Sequence, residues 1–347
     1  MIYDRYRFLV TGGAGFIGAN LAARLLQNGA HVTILDNLSR PGALSNVEWL
    51  KTLAENARLT FIQGDLNDAE KVKQACDGAT CIFHFAGQVA VTTSVVDPRK
   101  DFMDNALGTL NVLEAARGSG CDPVVIYSST NKVYGELDEA EFKEGAMRYE
   151  YTDRPNGIAE SQPLDFHSPY GCSKGAADQY VHDYARIYGL RTIVMRQSCI
   201  YGYRQFGIED QGWLAWFIIA ALKDRPITIY GDGKQVRDIL FIDDLLDAYE
   251  AAVAQTQKTA GRIYNIGGGV KNTMSVWTEF GPILESLLGR PIKVSMKDWR
   301  PGDQKIYVSD IRMAKRDLGW EPKVSVQDGV GRLFDWMKSN QALFANL

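Results

Sequence analysis

Arg7-Phe8-Leu9-Val10-Thr11-Gly12-Gly13-Ala14-Gly15-Phe16-Ile17-Gly18 is the stretch from which the rest of the chain is read. Arg7 to Val10 is a short apolar strand, Gly12 to Gly18 a glycine turn, and Ala19 to Asn28 a helix ending at Gly29. A second apolar run, His31 to Leu35, closes on Asp36, about twenty residues beyond the turn. Strand, glycine turn, helix, strand and acid, in that order, make a dinucleotide-binding βαβ unit. Gly12, Gly15 and Gly18 let backbone approach a pyrophosphate, and the helix start at Phe16 and Ile17 offers unpaired N–H groups and partial positive charge. Asp36 suits a ribose diol and repels a 2′-phosphate, so NAD(H) is the expected cofactor; nearby Arg40 keeps NADP(H) as the alternative. Asn37, Ser39 and Arg40 are counted with Asp36 as cofactor contacts.

Leu59 to Gln63 reads as a third strand ending at Gly64-Asp65-Leu66, and Cys81 to Phe85 as a fourth running into Ala86-Gly87-Gln88. Ligands of a doubly wound sheet lie at the carboxyl ends of its strands, which puts Asp65 and Leu66 at the adenine and Ala86 to Gln88 on the nicotinamide side. Asp101 to Arg117 is expected to be one helix, with Asn105 turned toward the site or lying on the surface. Pro123 to Tyr127 is a fifth strand leading to Ser128-Ser129-Thr130, and Arg191 to Arg196 a sixth. The expected fold is α/β, a doubly wound parallel sheet of the Rossmann type over residues 1–200. A smaller α/β substrate-binding region takes most of 201–347, with 236–265 a candidate to return to the first region.

Ser168-Pro169-Tyr170-Gly171-Cys172-Ser173-Lys174 starts a helix reaching Tyr188 and sets a phenol and an ammonium on one face. Free tyrosine ionises near pH ~10, so it acts as a general base at neutral pH only beside a cation. Lys174 is that cation if the pair is catalytic; the spacing also fits an ordinary surface pair. Thr130, a hydroxyl at a strand's carboxyl end, is the third member, placed to orient a substrate hydroxyl. Gly135 to Ser168 shows little periodicity and reads as a long loop, a flap near the substrate.

Past residue 200 the alternation loosens. Trp213 to Leu222, the longest apolar run, is about half a membrane span and reads as a buried helix. Ser275 to Leu288 is expected to be helical. Arg237 and Arg300 are candidates to converge on one diphosphate, or to form surface salt bridges such as Arg237 with Asp238. The 347 residues can bury a large core, and a net charge of -4 disfavours a nucleic-acid partner held through its phosphates. Five cysteines without a C-x-x-C pair point to reduced thiols and the cytoplasm. The short polar start, Met1 to Arg7, is expected to carry no secretory signal, and no membrane partner is expected. The four scattered histidines offer no metal site.

In this order the pieces resemble the extended short-chain dehydrogenase/reductase family, in its group of nucleotide-sugar epimerases and dehydratases. T-G-G-A-G-F-I-G at 11–18, Thr130, Y-G-C-S-K at 170–174, V-R-D at 236–238 and R-P-G-D at 300–303 carry the resemblance over nearly the whole length. It implies tightly held, recycled NAD, with Thr130, Tyr170 and Lys174 as catalytic residues. Ser128, Tyr170, Lys174 and Asn105 would also touch the cofactor. In the implied cycle Tyr170, as phenolate, takes the proton of a sugar hydroxyl while hydride leaves that carbon; the keto sugar then takes hydride back on its other face. Lys174 lowers the Tyr170 pKa and binds the cofactor ribose, and Arg237 and Arg300 hold the diphosphate.

Narrower features resemble members acting on carbon 2 of CDP-linked sugars: Ser129 to Gly135, Arg204-Gln205-Phe206-Gly207, Asp210 to Trp213, and Gly233 to Asp238. That resemblance makes Gln88, Thr130, Arg204, Gln205, Arg237, Arg300 and Asp303 substrate contacts. Cys199 stands where many relatives place an Asn, so base and sugar contacts are not carried over from the UDP-galactose enzymes. Asn131 and Lys132 stand where 4,6-dehydratases carry Asp and Glu, which disfavours elimination. A UDP-sugar 4-epimerase and a non-catalytic NAD-binding sensor are the alternatives. The assembly expected for the family is a homodimer or homotetramer, with helices 101–117 and 170–188 as candidates to pair.

Overall fold

The structure, a computed structural model, describes residues 2–54, 58–300, 303–345 and 347. Its first half alternates strands and helices: β1 (Arg7–Thr11), α1 (Phe16–Gln27), β2 (His31–Asp36), α2 (Ala43–Leu53), β3 (Leu59–Gln63), α3 (Ala69–Cys76) and β4 (Cys81–His84). Then come α4 (Val91–Val96), α5 (Pro98–Phe102), α6 (Gly108–Gly118), β5 (Val124–Thr130), β6 (Phe142–Glu144), β7 (Tyr149–Tyr151), α7 (Ser168–Tyr188) and β8 (Arg191–Gln197). The second half carries β9 (Cys199–Tyr201), α8 (Trp213–Leu222), β10 (Ile227–Tyr230), β11 (Val236–Phe241), α9 (Ile242–Ala254), α10 (Thr256–Thr259) and β12 (Arg262–Ile266). It closes with β13 (Thr273–Ser275), α11 (Phe280–Leu288), β14 (Val294–Lys297), β15 (Ile306–Tyr307), α12 (Arg312–Leu318) and α13 (Val326–Ser339).

Seven strands form one parallel sheet in the order β12-β8-β5-β4-β1-β2-β3. Both faces are covered by helices, which is why β4 is buried at every residue and is apolar from Cys81 to Phe83. The chain winds outward from β1 through β2 and β3, then crosses to β4, β5 and β8 on the other side. This reversal leaves a crevice at the carboxyl ends of β1 and β4. β12 pairs with β8 from Arg262 opposite Ile193 to Ile266 opposite Gln197, so the chain returns to the main sheet after residue 260. β9, β11, β13 and β15 build a smaller sheet, and β10 pairs with β14.

Three segments differ from their sequence reading. The single helix expected over 101–117 is broken: α5 ends at Phe102, a π-helical turn spans Met103–Leu107, and α6 follows. The loop expected over 135–168 holds the antiparallel hairpin β6–β7, fastened to the second half. Arg148 pairs with Glu279 at 2.6 Å, Tyr149 donates to Asp232 at 2.5 Å, and Tyr151 donates to the Ile306 carbonyl at 2.9 Å. The helix expected from Ser275 starts at Phe280, with Pro282 in its first turn, where a missing N–H costs nothing. No helix among the described residues is long and apolar enough to cross a membrane.

Under α7 lies a buried ion pair. Arg196 of β8 holds Asp178 of α7 through two bonds of 2.9 and 2.8 Å, and the two side chains are 3% and 0% exposed. Ser129 donates to the same carboxylate at 2.6 Å. Removing one partner strands a charge in the core. Arg196→Met is expected to lower the unfolding free energy by about 3–5 kcal/mol, read from urea midpoints. The double change Arg196→Met with Asp178→Leu should lose less; equal losses would show that the stranded charge is not the cause.

Candidate active site

The crevice encloses a cleft of about 380 Å³. Its upper wall is the glycine turn, packed too closely for side chains. A Cβ on Gly12, at φ +68°, would lie 2.7 Å from the Ala86 nitrogen, and one on Gly18 would lie 2.2 Å from the Gly12 carbonyl oxygen. Gly15 is the N-cap of α1 and supplies no side-chain capping bond, and the first turn has no acidic residue. The helix's partial positive charge and first N–H groups at Phe16, Ile17 and Gly18 therefore stay available at the cleft wall.

Asp36, at the end of β2, accepts from the Ala14 nitrogen at 3.0 Å and the Leu38 nitrogen at 2.8 Å, and burial pushes its pKa up. Asn37, Ser39, Arg40, Asp65, Leu66, Ala86 and Ser128 line the same cleft. Asn37 donates to Asp65 at 2.7 Å, and Arg40 donates to Gln211 at 2.9 Å. A backbone cradle at a helix N-terminus with a carboxylate beyond it fits a dinucleotide's diphosphate and ribose. Two expected contacts stand off the cleft wall. Gln88 folds onto its own loop, accepting from the Ala90 nitrogen at 2.9 Å and donating to the Ala90 carbonyl at 2.6 Å. Asn105 sits on the π-helical turn behind Gly87, donating to Asp101 at 3.2 Å and to Ser173 at 3.0 Å. Its side-chain oxygen is buried without a hydrogen-bond partner.

Thr130 ends β5, Tyr170 stands in the first turn of α7, and Lys174 follows one turn on; all three are buried and line the cleft. β5 runs three residues past its expected end, and that extension carries Thr130 to the sheet edge facing α7. The Tyr170 nitrogen donates to Ser94 at 3.1 Å. Burial pushes the Tyr170 phenol up to about 12, while its hydrogen bond with Thr130 pulls it down. Burial also pulls Lys174 down to about 7, against the pull of Asp178 and Asp101. Its ammonium donates to the Ser128 carbonyl at 2.6 Å and lies 4.2 Å over the Tyr127 ring. The chief influences on Tyr170 in this structure are thus its burial and Thr130. Behind the trio, His84 bridges Thr11 at 2.7 Å and Thr109 at 2.9 Å, and burial holds it neutral.

Of the expected substrate contacts, Arg204 and Gln205 join Thr130 on the cleft wall. Gln205 is buried and donates to the Ile200 carbonyl at 3.2 Å. Arg237 and Arg300 keep separate company. Arg237 donates to the Val236 carbonyl at 2.8 Å, and its charge acts on Cys199 and Lys132. Arg300 lies 3.6 Å over the Tyr230 ring and 3.3 Å from Asp210. Asp303 is exposed, and Pro301 and Gly302 of the same motif lie outside the described residues. Burial and the Arg237 charge pull Lys132 down to about 8. Sequence reading passed over Asn46, which is buried and donates to the Ala14 carbonyl at 2.9 Å. Its signal was a polar residue among Ala43, Val47 and Leu50 on the buried face of α2.

The sequence matches the family described as "NAD dependent epimerase/dehydratase family" over residues 8–267. It is 45% identical over 341 residues to CDP-paratose 2-epimerase of Salmonella typhi, covering 96% of this chain and 99% of that one. It is 33% identical over 336 residues to a putative UDP-glucose 4-epimerase of Methanocaldococcus jannaschii, covering 96% and 98%. Its fold matches UDP-glucuronic acid 4-epimerase from Bacillus cereus, solved with UDP-glucuronic acid and NAD, with TM-score 0.82 and 30% identity over 96% of this chain and 99% of that one.

Lys174 titrates near 7 when folded, against 10.5 ordinarily. Between these values the unfolded chain binds more protons, so the cost of burying the ammonium is full below the folded pKa and is relieved as pH rises. Lys174→Met deletes that titration. From pH 7 to 9 the natural chain should gain about 2 kcal/mol of unfolding free energy relative to the variant. Urea melts at several pH values measure it; a flat difference would mean that Lys174 is not held at a low pKa.

Proposed function

The chain belongs to the NAD dependent epimerase/dehydratase family, and on that premise we propose that it inverts carbon 2 of a CDP-linked sugar of the CDP-paratose/CDP-tyvelose type. The observation that carries this reading is the end-to-end identity of 45% with CDP-paratose 2-epimerase, against 33% with the putative UDP-glucose 4-epimerase. Asn131 and Lys132 after Thr130 support it further, since neither supplies the carboxyl groups that an elimination needs.

NAD, when bound, supplies a two-electron acceptor that gives the hydride back, and its oxidised ring adds positive charge to the site. The glycine turn, Asp36 and the Asp65 loop hold it. Tyr170 takes the sugar hydroxyl's proton on its phenolic oxygen and later returns it. Thr130, already hydrogen-bonded to that phenol, orients the hydroxyl. Lys174 shares the first turns of α7 with Tyr170 and stabilises the phenolate in its protonated form. A phenol near 12 is a poor base at neutral pH, so added positive charge is what brings Tyr170 into range. Residues 1–200 serve the cofactor and the chemistry, and most of 201–347 serves the nucleotide sugar, with Gln205, Arg237 and Arg300 on the substrate.

The assembly we propose is a homodimer. Val96 and Phe102, on α4 and α5, and Ile187 and Tyr188, at the end of α7, are large side chains left exposed, Val96 by 86%. All five cysteines stand free, which suits the cytoplasm.

Tyr170→Phe should lower kcat by about 10²–10⁴-fold while NAD still copurifies; near-natural turnover would sink the assignment. The natural enzyme, given CDP-linked and UDP-linked sugars in deuterated water without added NAD, should invert carbon 2 of the CDP-sugar and retain its hydrogen by NMR. Inversion at carbon 4 of a UDP-sugar would select the alternative epimerase, and solvent deuterium at the inverted carbon would exclude hydride return.

A further inference from the structure

Arg204 is a cleft-lining cation held in place by neutral groups. Its backbone sits at φ +59°, in the left-handed region that side chains other than glycine's seldom enter. Strain of this kind concentrates at ligand clamps, where surrounding contacts hold it. Its guanidinium lies 3.8 Å over the Trp49 ring and donates to the Asn46 side-chain oxygen at 3.2 Å. Asn46 in turn donates to the Ala14 carbonyl of the glycine turn. On the other side, Asn20 of α1 donates to the carbonyls of Phe16 and Tyr203, both at 2.8 Å. The loop bearing Arg204 is therefore tied at two points to the residues that surround the start of α1.

Among the described residues no carboxylate forms an ion pair with this charge. The acids nearest in role, Asp36 and Asp65, are occupied by the backbone of Ala14, Leu38 and Asn67 and by the side chains of Asn37 and Asn67. Burial is the influence that lowers the Arg204 pKa, to about 10, and the group remains a cation throughout the physiological range. A stacked, pre-oriented guanidinium facing a cleft is built to meet an oxyanion.

We infer that Arg204 is a cofactor ligand, its guanidinium taking a phosphate oxygen of the dinucleotide's diphosphate across from the backbone N–H groups of the glycine turn. Its supports choose the cofactor over the nucleotide sugar. Trp49 and Asn46 belong to α2, which follows the Asp36 loop, and Asn46 holds the glycine turn itself. The other cation of the second half, Arg237, acts on Cys199, Lys132 and Tyr151 instead. The glycine turn would then grip the diphosphate from the sheet side, and Arg204 from the second half of the chain. Because Arg204 and Gln205 are adjacent on the cleft wall, a bound dinucleotide would also fix the loop that faces the substrate.

The inference rests on the cleft holding the dinucleotide and is independent of which sugar is epimerised. Its test uses the purified holoenzyme, chased with labelled NAD to give the cofactor off-rate. Arg204→Asn removes the cation, and asparagine tolerates the left-handed backbone. This variant should release NAD about tenfold faster or more, corresponding to about 1.4 kcal/mol. Arg204→Lys, which keeps charge and loses the fork, should fall between the two. Binding of CDP to the NAD-loaded variants should stay within about twofold of the natural enzyme. An unchanged off-rate in Arg204→Asn would overturn the inference. So would weakened CDP binding with an unchanged off-rate, which would place Arg204 on the substrate's diphosphate.

Discussion

The approach of two backbones at the crevice governs the rest of the site. β1 and β4 are hydrogen-bonded neighbours, and past their ends Gly12 sits so close to Ala86 that a single Cβ would lie 2.7 Å from its nitrogen. Gly18 makes the same demand of Gly12 from within α1. Together they seat the first turn of the helix at the sheet edge, with its N–H groups directed where an anion would lie. A side chain at either position would force the turn outward and move the helix from the crevice. The tight turn therefore decides that this sheet has a cofactor cleft, and the reversal of strand order decides where it lies.

Within that cleft, burial sets the electrostatics, and it works against the charged forms of both Tyr170 and Lys174. Phenolate and ammonium are each disfavoured when taken from water, which is why Tyr170 rises while Lys174 falls. Of the two carboxylates that favour the ammonium, Asp178 acts more strongly than Asp101. Asp178 is itself paired with Arg196, and Asp101 is held by the neutral Ser173 and Asn105. The resting site thus holds a phenol and a lysine whose charged forms are both disfavoured by burial. Adding positive charge beside the phenol changes this balance more than it would in water, because the surroundings screen little.

How much was legible in the sequence follows from the range of the interactions. The βαβ start, the α7 pair and α8 are patterns within one segment, and α8 runs from Trp213 to Leu222 as its apolar run implies. The β6–β7 hairpin was not legible. β6 is three exposed residues with no alternation to read, and its hairpin's anchors, Glu279 and Asp232, lie 131 and 83 residues from Arg148 and Tyr149. The π-helical turn at Met103–Leu107 was hidden as well, since its residues carry ordinary helical composition. Among the site residues, Gln88 shows the limit of placing side chains from their loop. Its position beside the cleft was readable, but its amide closes on Ala90, a local bond that competes with any ligand.

The hairpin also bears on how the two halves of the chain act together. The excursion that carries it leaves the main sheet just after Thr130 and runs into α7 at Tyr170, so its two ends are the residues proposed for the chemistry. Its middle is bonded to β15, to the loop after β10 and to α11's N-cap Glu279. A displacement of the second half would therefore pull on the segment that spaces Thr130 from Tyr170. In the proposed cycle those two groups share one substrate hydroxyl, and a shift of about 1 Å in such a contact is costly to rate. Fastening the excursion with an ion pair, two phenol hydrogen bonds and a backbone bridge at Ile158 and Ser309 holds that spacing while leaving the cleft open. In the proposed cycle, substrate choice is then carried by side chains at the cleft, and the geometry of proton transfer by the strap between Thr130 and Tyr170.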